Sequence, residues 1–303
     1  MAGLGTRLRP HTWSKPKQLI SVAGKAMIDH VIGSLATLPE DTNIELINIV
    51  GYLGDQIEEH VREVYPHIRS HFIVQEDPRG QSHAIQLASQ HLDGPMLVVF
   101  ADTLLETDLS FLNDEPYDAV AWVKPVPDPR RFGVAVVGFY YFKNAADLLS
   151  AIDEQIQRQV QLKGEYFLAD AVNIMLERGL QMRVEKVDVW LDAGTPEAIL
   201  ETNRYLLEHG SDNSPQAASR EGVVLIPPVF VHPTATIHQS IIGPNVSLGA
   251  GCMVEQSIIR DSILEDEACV SRIILENSLV GRRAQLSRRA GVVNAGDNTE
   301  VML

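Results

Sequence analysis

Along roughly the first 210 positions, short apolar runs alternate with stretches in which apolar residues recur every three or four places. The spacing predicts strands at residues 44–51, 71–75, 95–101, 118–123, 133–142 and 182–191. It predicts helices at 54–64, 81–91, 144–158 and 196–209. The run at 95–101 is apolar throughout, as expected of a strand covered on both faces. The last helix is the best marked: Thr195 suits its cap, Pro196 its first position and Gly210 the residue past its end. Alternation of this kind predicts an α/β domain built on an open, mostly parallel sheet.

The rhythm changes after residues 211–222, a short polar stretch with Pro215 that reads as a linker. Triplets recur at Ser240-Ile-Ile, Ser257-Ile-Ile, Ser262-Ile-Leu and Ser278-Leu-Val, and apolar positions step by six: Ile242, Leu248, Val254; Leu264, Val270; Val280, Leu286. Six-residue steps predict a hexapeptide-repeat β-helix of three or four coils, each burying its apolar face by stacking on the next. A loose β-meander is the alternative. The division expected is residues 1–215 for the α/β domain and 216–303 for the repeats. Cys252 and Cys269, about one coil apart, are expected on adjacent rungs. A stack of coils leaves an apolar end, so a homo-oligomer is expected.

Charge sharpens the picture. The 303 residues hold 40 acidic and 25 basic side chains, a net charge of −15, which argues against nucleic acid or an anionic membrane as partner. No apolar run approaches a membrane span and no leader pattern is evident, so a cytoplasmic location is expected. The two cysteines lack metal-ligand spacing. Against this acidic background the N-terminal segment is basic: Arg7, Arg9, Lys15, Lys17 and Lys25 all precede the first carboxylate, Asp29. The segment begins Gly3-Leu4-Gly5-Thr6, and such a turn lets backbone N–H groups approach phosphate oxygens while Arg and Lys supply counter-charge. The reading is a site for a small polyanion, with a solvated basic loop as the plain alternative. A Walker A loop is excluded by the absence of its second glycine and Lys-Ser/Thr, and a dinucleotide fingerprint by Leu8 at its third glycine.

From Gly3-Leu-Gly-Thr-Arg7 to Pro16-Lys17 the segment resembles the Gly-x-Gly-Thr-Arg…Pro-Lys motif of sugar-phosphate nucleotidyltransferases, and further matches extend over nearly the whole chain. Glucose-1-phosphate thymidylyltransferases or uridylyltransferases with an appended left-handed β-helix look nearest. The resemblance implies transfer of a nucleotidyl group, dTMP or UMP, from a nucleoside triphosphate to a sugar 1-phosphate, glucose 1-phosphate being expected, with release of pyrophosphate. It places Gly3, Leu4, Gly5 and Thr6 at the nucleotide, Arg7 at the leaving pyrophosphate and Lys17 at phosphate oxygens near the reacting centre. Asp102 ends the apolar strand at Phe100-Ala-Asp, where a carboxylate either caps the next helix or faces the ligand crevice. It resembles the family's metal-binding Asp, as does Asp192 in Trp190-Leu-Asp-Ala-Gly-Thr195, and the pair suits Mg²⁺ completed by nucleotide phosphates. Gln75 and the loop 77–84, with Gly80, stand where the family reads a pyrimidine; His83 reads as a histidine at a helix start facing that loop. Gly133, in Arg130-Arg-Phe-Gly133, and Glu165, in Gly164-Glu-Tyr-Phe-Leu-Ala-Asp170, resemble elements that contact the sugar, a surface salt bridge being the alternative for Glu165.

Two departures stand out. Only Met1 and Ala2 precede the Gly-x-Gly turn, where the family has a first strand, so that strand is expected to be missing. The family also places a turn and a Glu-Lys-Pro motif between segments corresponding to 133–137 and 138–142, and the chain contains no Glu-Lys-Pro. Val137 and Gly138 are therefore expected to be the ends of two strands with a break between them. The lost motif leaves room for a nucleotide-binding regulatory or structural protein that does not turn over. Acyl transfer by the repeats, using His232 or His238, is a further alternative that the shortness of the repeat region disfavours.

Overall fold

The computed structural model describes residues 3, 5–39, 42–125, 134–217 and 222–288. They fall into two compact units, one drawn from Met1–Ser21 with Lys25–Thr202 and the other from Val22–Gly24 with Asn203–Leu303. Up to residue 206 the regular elements run β1 (Ser21–Val22), β2 (Lys25–Ala26), α1 (Met27–Gly33), β3 (Glu45–Val50), α2 (Gly54–Val64), β4 (Arg69–Val74) and α3 (Gln81–Leu87). There follow β5 (Met96–Val99), β6 (Thr103–Leu105), β7 (Ala119–Pro125), β8 (Val134–Phe142), α4 (Ala145–Gln157), α5 (Leu168–Glu177), β9 (Met182–Lys186), β10 (Trp190–Asp192) and α6 (Pro196–Leu206).

The main sheet of the first unit has the order β5-β8-β7-β9; β5, β7 and β9 share a direction and β8 alone runs against them. Alternate residues of its strands face opposite sides. Val120, Trp122, Val137, Phe139 and Tyr141 pack with Leu105, Leu109 and Leu112, while Ala119, Ala121, Tyr140 and Phe142 pack with α4 and α5. Both faces are covered, which is why these runs read as apolar throughout. A separate parallel pair, β3 and β4, is covered by Ile57 and Val61 of α2 and Ile28 of α1. Full burial of such side chains stabilises by about 1.5–3 kcal/mol each.

Two expectations need correction, and a helix was missed. The break at Val137–Gly138 is not there: β8 is one strand through both residues. Gly138 takes φ 79, and three residues of β8, 137–139, oppose the single Trp122 of β7, a bulge that a sequence reading takes for two strand ends. A Cβ on Gly138 would stand 2.5 Å from Phe100 Cδ2, so glycine alone lets the two chains approach. The strand expected over 182–191 is two: β9 lies parallel to β7, and β10 turns away to pair antiparallel with β6. No Gly or Pro separates them, so nothing local marked the division. Helix α5 was not foreseen, although Leu168, Ala171, Val172 and Met175 fall on one buried face.

In the second unit, twelve short strands form three parallel ladders of four, the repeated coils of a left-handed β-helix. Ile242, Leu248, Val254, Leu264, Val270 and Val280 all point inward and are at most 5 % exposed. The recurring serines have a structural reason. Each hydroxyl donates to the carbonyl two residues back (Ser240 to His238, Ser257 to Glu255), and those of Ser240, Ser257 and Ser262 accept a backbone N–H from the next coil (Ser257 N–H to Ser240, Ser278 N–H to Ser262), tying successive corners together. On the outer side of the first ladder, Val224, Ile241, Ile258 and Ile274 stand in register, with Ile274 72 % exposed. The cysteines lie on adjacent coils but in different columns. Cys269 pairs with Met253 and points outward, whereas Cys252 is buried and donates to Glu265 O at 3.0 Å.

Candidate functional site

The basic segment folds as two single turns of 3-10 helix, Thr6–Leu8 and Lys17–Leu19, joined by a loop that other elements hold from outside. Gly5 opens the first turn at φ 61 and its carbonyl accepts from the buried Thr12 hydroxyl at 2.8 Å. Tyr52 donates to Trp13 O at 2.6 Å and Gln56 to Ser14 O at 3.1 Å, so the start of α2 secures the far side. Leu8 is buried beneath, while Gly3, Thr6 and Arg7 remain exposed. Leu4 and Gly133 lie outside the described residues.

Asp102 follows β5 in a tight turn closed by Thr103 N–H to Phe100 O. From there the chain enters β6, whose Thr103 pairs with Asp192 of β10, and Ala193 N–H donates to Asp102 O at 3.1 Å. The backbones of the two aspartates expected at strand ends are thus brought together, though on a short antiparallel ribbon and not on the main sheet. Each has a cation beside it: Lys17 Nζ is hydrogen-bonded to Asp102 Oδ2. The Arg7 guanidinium and both Asp192 oxygens stand 2.9–3.2 Å from where a Cβ on Gly194 would be. A side chain at 194 would wedge them apart. Thr202, also buried, donates to Asp192 O at 3.1 Å and steadies β10 from α6.

No cluster of three metal-ligating side chains occurs among the described residues. Two aspartates on neighbouring strand ends are nonetheless the kind of protein share expected where a hard divalent cation keeps water and takes phosphate oxygens for the rest. The donor set fits such an ion and does not fit zinc, for which thiolate and imidazole would be expected.

The second grouping is around Gln75, just past β4, 6 % exposed, with its N–H donated to Val50 O at 2.8 Å. Its side-chain nitrogen meets Gly80 O at 3.2 Å and His83 Nδ1 at 3.1 Å. Gly80 has φ 95 and its α-carbon is pressed against Tyr166, whose N–H donates to Arg79 O and whose carbonyl accepts from Ser82 N–H. Glu165, the expected sugar contact, is the exposed neighbour of Tyr166 and stands in no ion pair among the described residues. Its backbone bridges Leu162. His232 bonds Thr234 and His238 stands opposite Glu255 in the β-helix. A shallow trough of about 430 Å³ runs along that ladder past His238 and Cys269 but contains none of the other candidates.

Thr12, Tyr52, Gln56 and Thr202 escaped the sequence reading, and Gly194 entered it only as part of a motif. They act on the site through backbone carbonyls or by staying small, and a lone sequence carries no signal for either.

A nucleotidyl transferase family model matches residues 1–138, ending inside β8 at the bulge glycine. The bifunctional protein GlmU of Methanococcus vannielii is 29 % identical over 233 residues, covering 69 % of this chain and 54 % of that protein. The chain spans about half the length of the first curated relatives it matches. A glucose-1-phosphate thymidylyltransferase of Streptomyces griseus is 26 % identical and covers 97 % of this chain and 94 % of that protein. That alignment spans 341 positions, more than the 303 residues of the chain, so this relative carries segments the chain lacks. The crystal structure of a nucleoside-diphosphate-sugar pyrophosphorylase from Vibrio cholerae RC9 superposes with a TM-score of 0.55 at 20 % identity, covering 67 % of this chain and 98 % of that one. At that identity the likeness is one of fold.

Proposed function

Residues 1–138 carry a nucleotidyl transferase domain, and on that footing we propose that this chain transfers a nucleotidyl group from a nucleoside triphosphate to a sugar 1-phosphate. The observation that carries the reading is the pairing of Asp192 with Thr103, which makes Asp102 and Asp192 neighbours on adjoining strand ends, with Lys17 bonded to Asp102 and Arg7 near Asp192. A phosphate oxygen of the sugar phosphate attacks the α-phosphorus in line, forming the new P–O bond as the bond to the β-phosphate oxygen breaks and pyrophosphate leaves. No protein nucleophile is needed, so the chain contributes position and charge. Arg7 stabilises the charge that grows on the departing pyrophosphate, and Lys17 neutralises phosphate oxygens next to Asp102. The N–H groups from Gly3 to Thr6 cradle the phosphates; Gln75 and the Gly80 turn read the base; Gly133 and Glu165 attend the sugar.

The family uses a divalent metal ion. We assign Mg²⁺, held by Asp102 and Asp192, where it would supply further charge neutralisation on the phosphates. The base is uracil or thymine and the sugar phosphate glucose 1-phosphate, in keeping with the relatives' names. We place the reaction in the cytoplasm, and no helix of the described residues is long and apolar enough to cross a membrane. The exposed Val224–Ile274 column of the β-helix supports a homo-oligomer, which sedimentation at micromolar concentration would detect. The decisive experiment is pyrophosphate release over a panel of triphosphates and sugar 1-phosphates with Mg²⁺. Asp102→Asn and Asp192→Asn should each lose turnover by orders of magnitude with circular dichroism unchanged; full activity in both would refute the assignment.

A second reading has one observation behind it. Strand β8 runs unbroken where the family would insert its Glu-Lys-Pro segment, so the acceptor side is curtailed. A protein that binds nucleotide without turning over would have this form, and a silent panel together with tight nucleotide binding would establish it.

A further inference from the structure

Gln75 is held by more than its place in the chain. Its side-chain nitrogen has two neighbours, Gly80 O at 3.2 Å and His83 Nδ1 at 3.1 Å. A carbonyl oxygen can only accept, so the amide must turn its NH₂ group towards Gly80; the flipped amide would set two oxygens face to face. The second N–H of that group then points at His83 Nδ1, which accepts when the ring carries its single proton on Nε2. Burial, and after it the charge of Arg79, push the imidazole below its usual range, with Asp77 opposing, and this favours the neutral ring. Both donors of Gln75 are thereby used within the protein. Its Oε1 receives no hydrogen bond among the described residues.

We propose that His83 is a specificity-determining residue, locking the Gln75 amide as an acceptor and so selecting bases that offer an N–H at ring position N3, uracil and thymine, over cytosine. The proposal rests on Gln75 facing the base, as read above. Uracil and thymine present an N3–H donor there, whereas cytosine presents a lone pair at N3, which would meet the lone pairs of Oε1. The terminal torsion of a glutamine is broad and roughly two-fold, so an unrestrained amide turns over and serves either base. Gly80 O resists that turn with one contact, and His83 adds a second. Histidine at this position does no chemistry on the substrate; it decides which face of its neighbour the substrate meets.

The test compares wild type, His83→Ala and His83→Asn. Asparagine Oδ1 lies near the position of imidazole Nδ1 and accepts from the same N–H, so His83→Asn keeps the lock. Affinities for UTP, dTTP and CTP with Mg²⁺ are measured by calorimetry, and kcat and KM by pyrophosphate release with glucose 1-phosphate. Wild type and His83→Asn should favour UTP or dTTP over CTP by roughly tenfold or more, with His83→Ala bringing the ratio towards unity, mainly through KM. A wild-type ratio retained in His83→Ala, a wild type that prefers CTP, or no nucleotide binding at all would each overturn the proposal. Calorimetry separates the two levels: selective binding without turnover keeps the lock and removes only the transferase reading.

Discussion

Replacing Gly80 with alanine puts a measurable load on the loop expected to read the base. At φ 95 and ψ 178 the residue occupies a region essentially reserved for glycine, where another residue costs about 1–3 kcal/mol. The new Cβ would stand 2.5 Å from Tyr166 O and 2.6 Å from Tyr166 N, distances real Cβ atoms do not adopt. Both are backbone atoms already in hydrogen bonds, to Ser82 N–H and Arg79 O, so neither can swing aside as a side chain would. Opening both bonds adds about 1 kcal/mol each, for a total of about 4 kcal/mol. Borne by the whole unit, that load lowers Tm by roughly 8–16 °C. Relieved locally, it moves Gly80 O away from Gln75, and the affinity for UTP falls while Tm holds. Calorimetric unfolding and UTP titration on one preparation distinguish the two. A Gly80→Ala protein with both Tm and UTP affinity unchanged would refute the account of this loop.

Arg7→Ala should lower kcat and kcat/KM together, by roughly a hundredfold, if the guanidinium meets charge that develops on the leaving group; a change in KM alone would make it an anchor. Burial raises the Cys252 thiol to about 11, so one thiol, Cys269, should react with Ellman's reagent near neutrality, and two thiols reacting at like rates would contradict the inward placing of Cys252. Asp29 takes hydrogen bonds from His60 at 2.8 Å, the Tyr65 hydroxyl at 3.1 Å and Ala26 N–H at 3.1 Å. Burial alone would raise its carboxyl, but the His60 bond and charge, Tyr65 and Ala26 outweigh it and hold the group below its ordinary value. A depressed carboxyl gives stability that is complete above the ordinary range and is lost as pH falls through the depressed value. Urea unfolding should therefore show Asp29→Asn less stable than wild type near neutrality, with the gap closing in acid; a gap independent of pH would oppose this.

Where a segment's own periodicity decides its structure, the sequence was mostly legible, though the amphipathic α5 was passed over. Helix α2 runs over the residues its pattern predicts, Thr195 Oγ1 accepts from Ala198 N–H at 3.3 Å as a cap should, and the six-residue step picks out the inward column of the β-helix. Legibility failed where conformation is set from a distance. Gly138 reads as a turn because glycine usually ends strands; here it admits the Phe100 ring. Residues 182–191 read as one strand because only the partner of β10, β6, marks the division. That Asp102 and Asp192 would belong to one site was expected from motif resemblance and from the habit of ligands lying at strand ends; the ribbon that makes their backbones neighbours carried no pattern of its own. His83 was seen as a helix-start residue, and its bond to Gln75, eight positions back, depends on how the loop folds.

The four charged side chains grouped with the Asp102–Asp192 ribbon come from positions 7, 17, 102 and 192, and this order has a consequence during synthesis. The basic segment with Arg7 and Lys17 is synthesised before either carboxylate of the grouping. Translating from 102 to 192 takes roughly 5–18 seconds at ordinary elongation rates, and only then does the last partner emerge. In that interval Arg7 has no Asp192 beside it, and the grouping stays incomplete until β10 pairs with β6. Truncation before residue 192 freezes that stage, leaving β6 without its partner strand and Arg7 without its carboxylate.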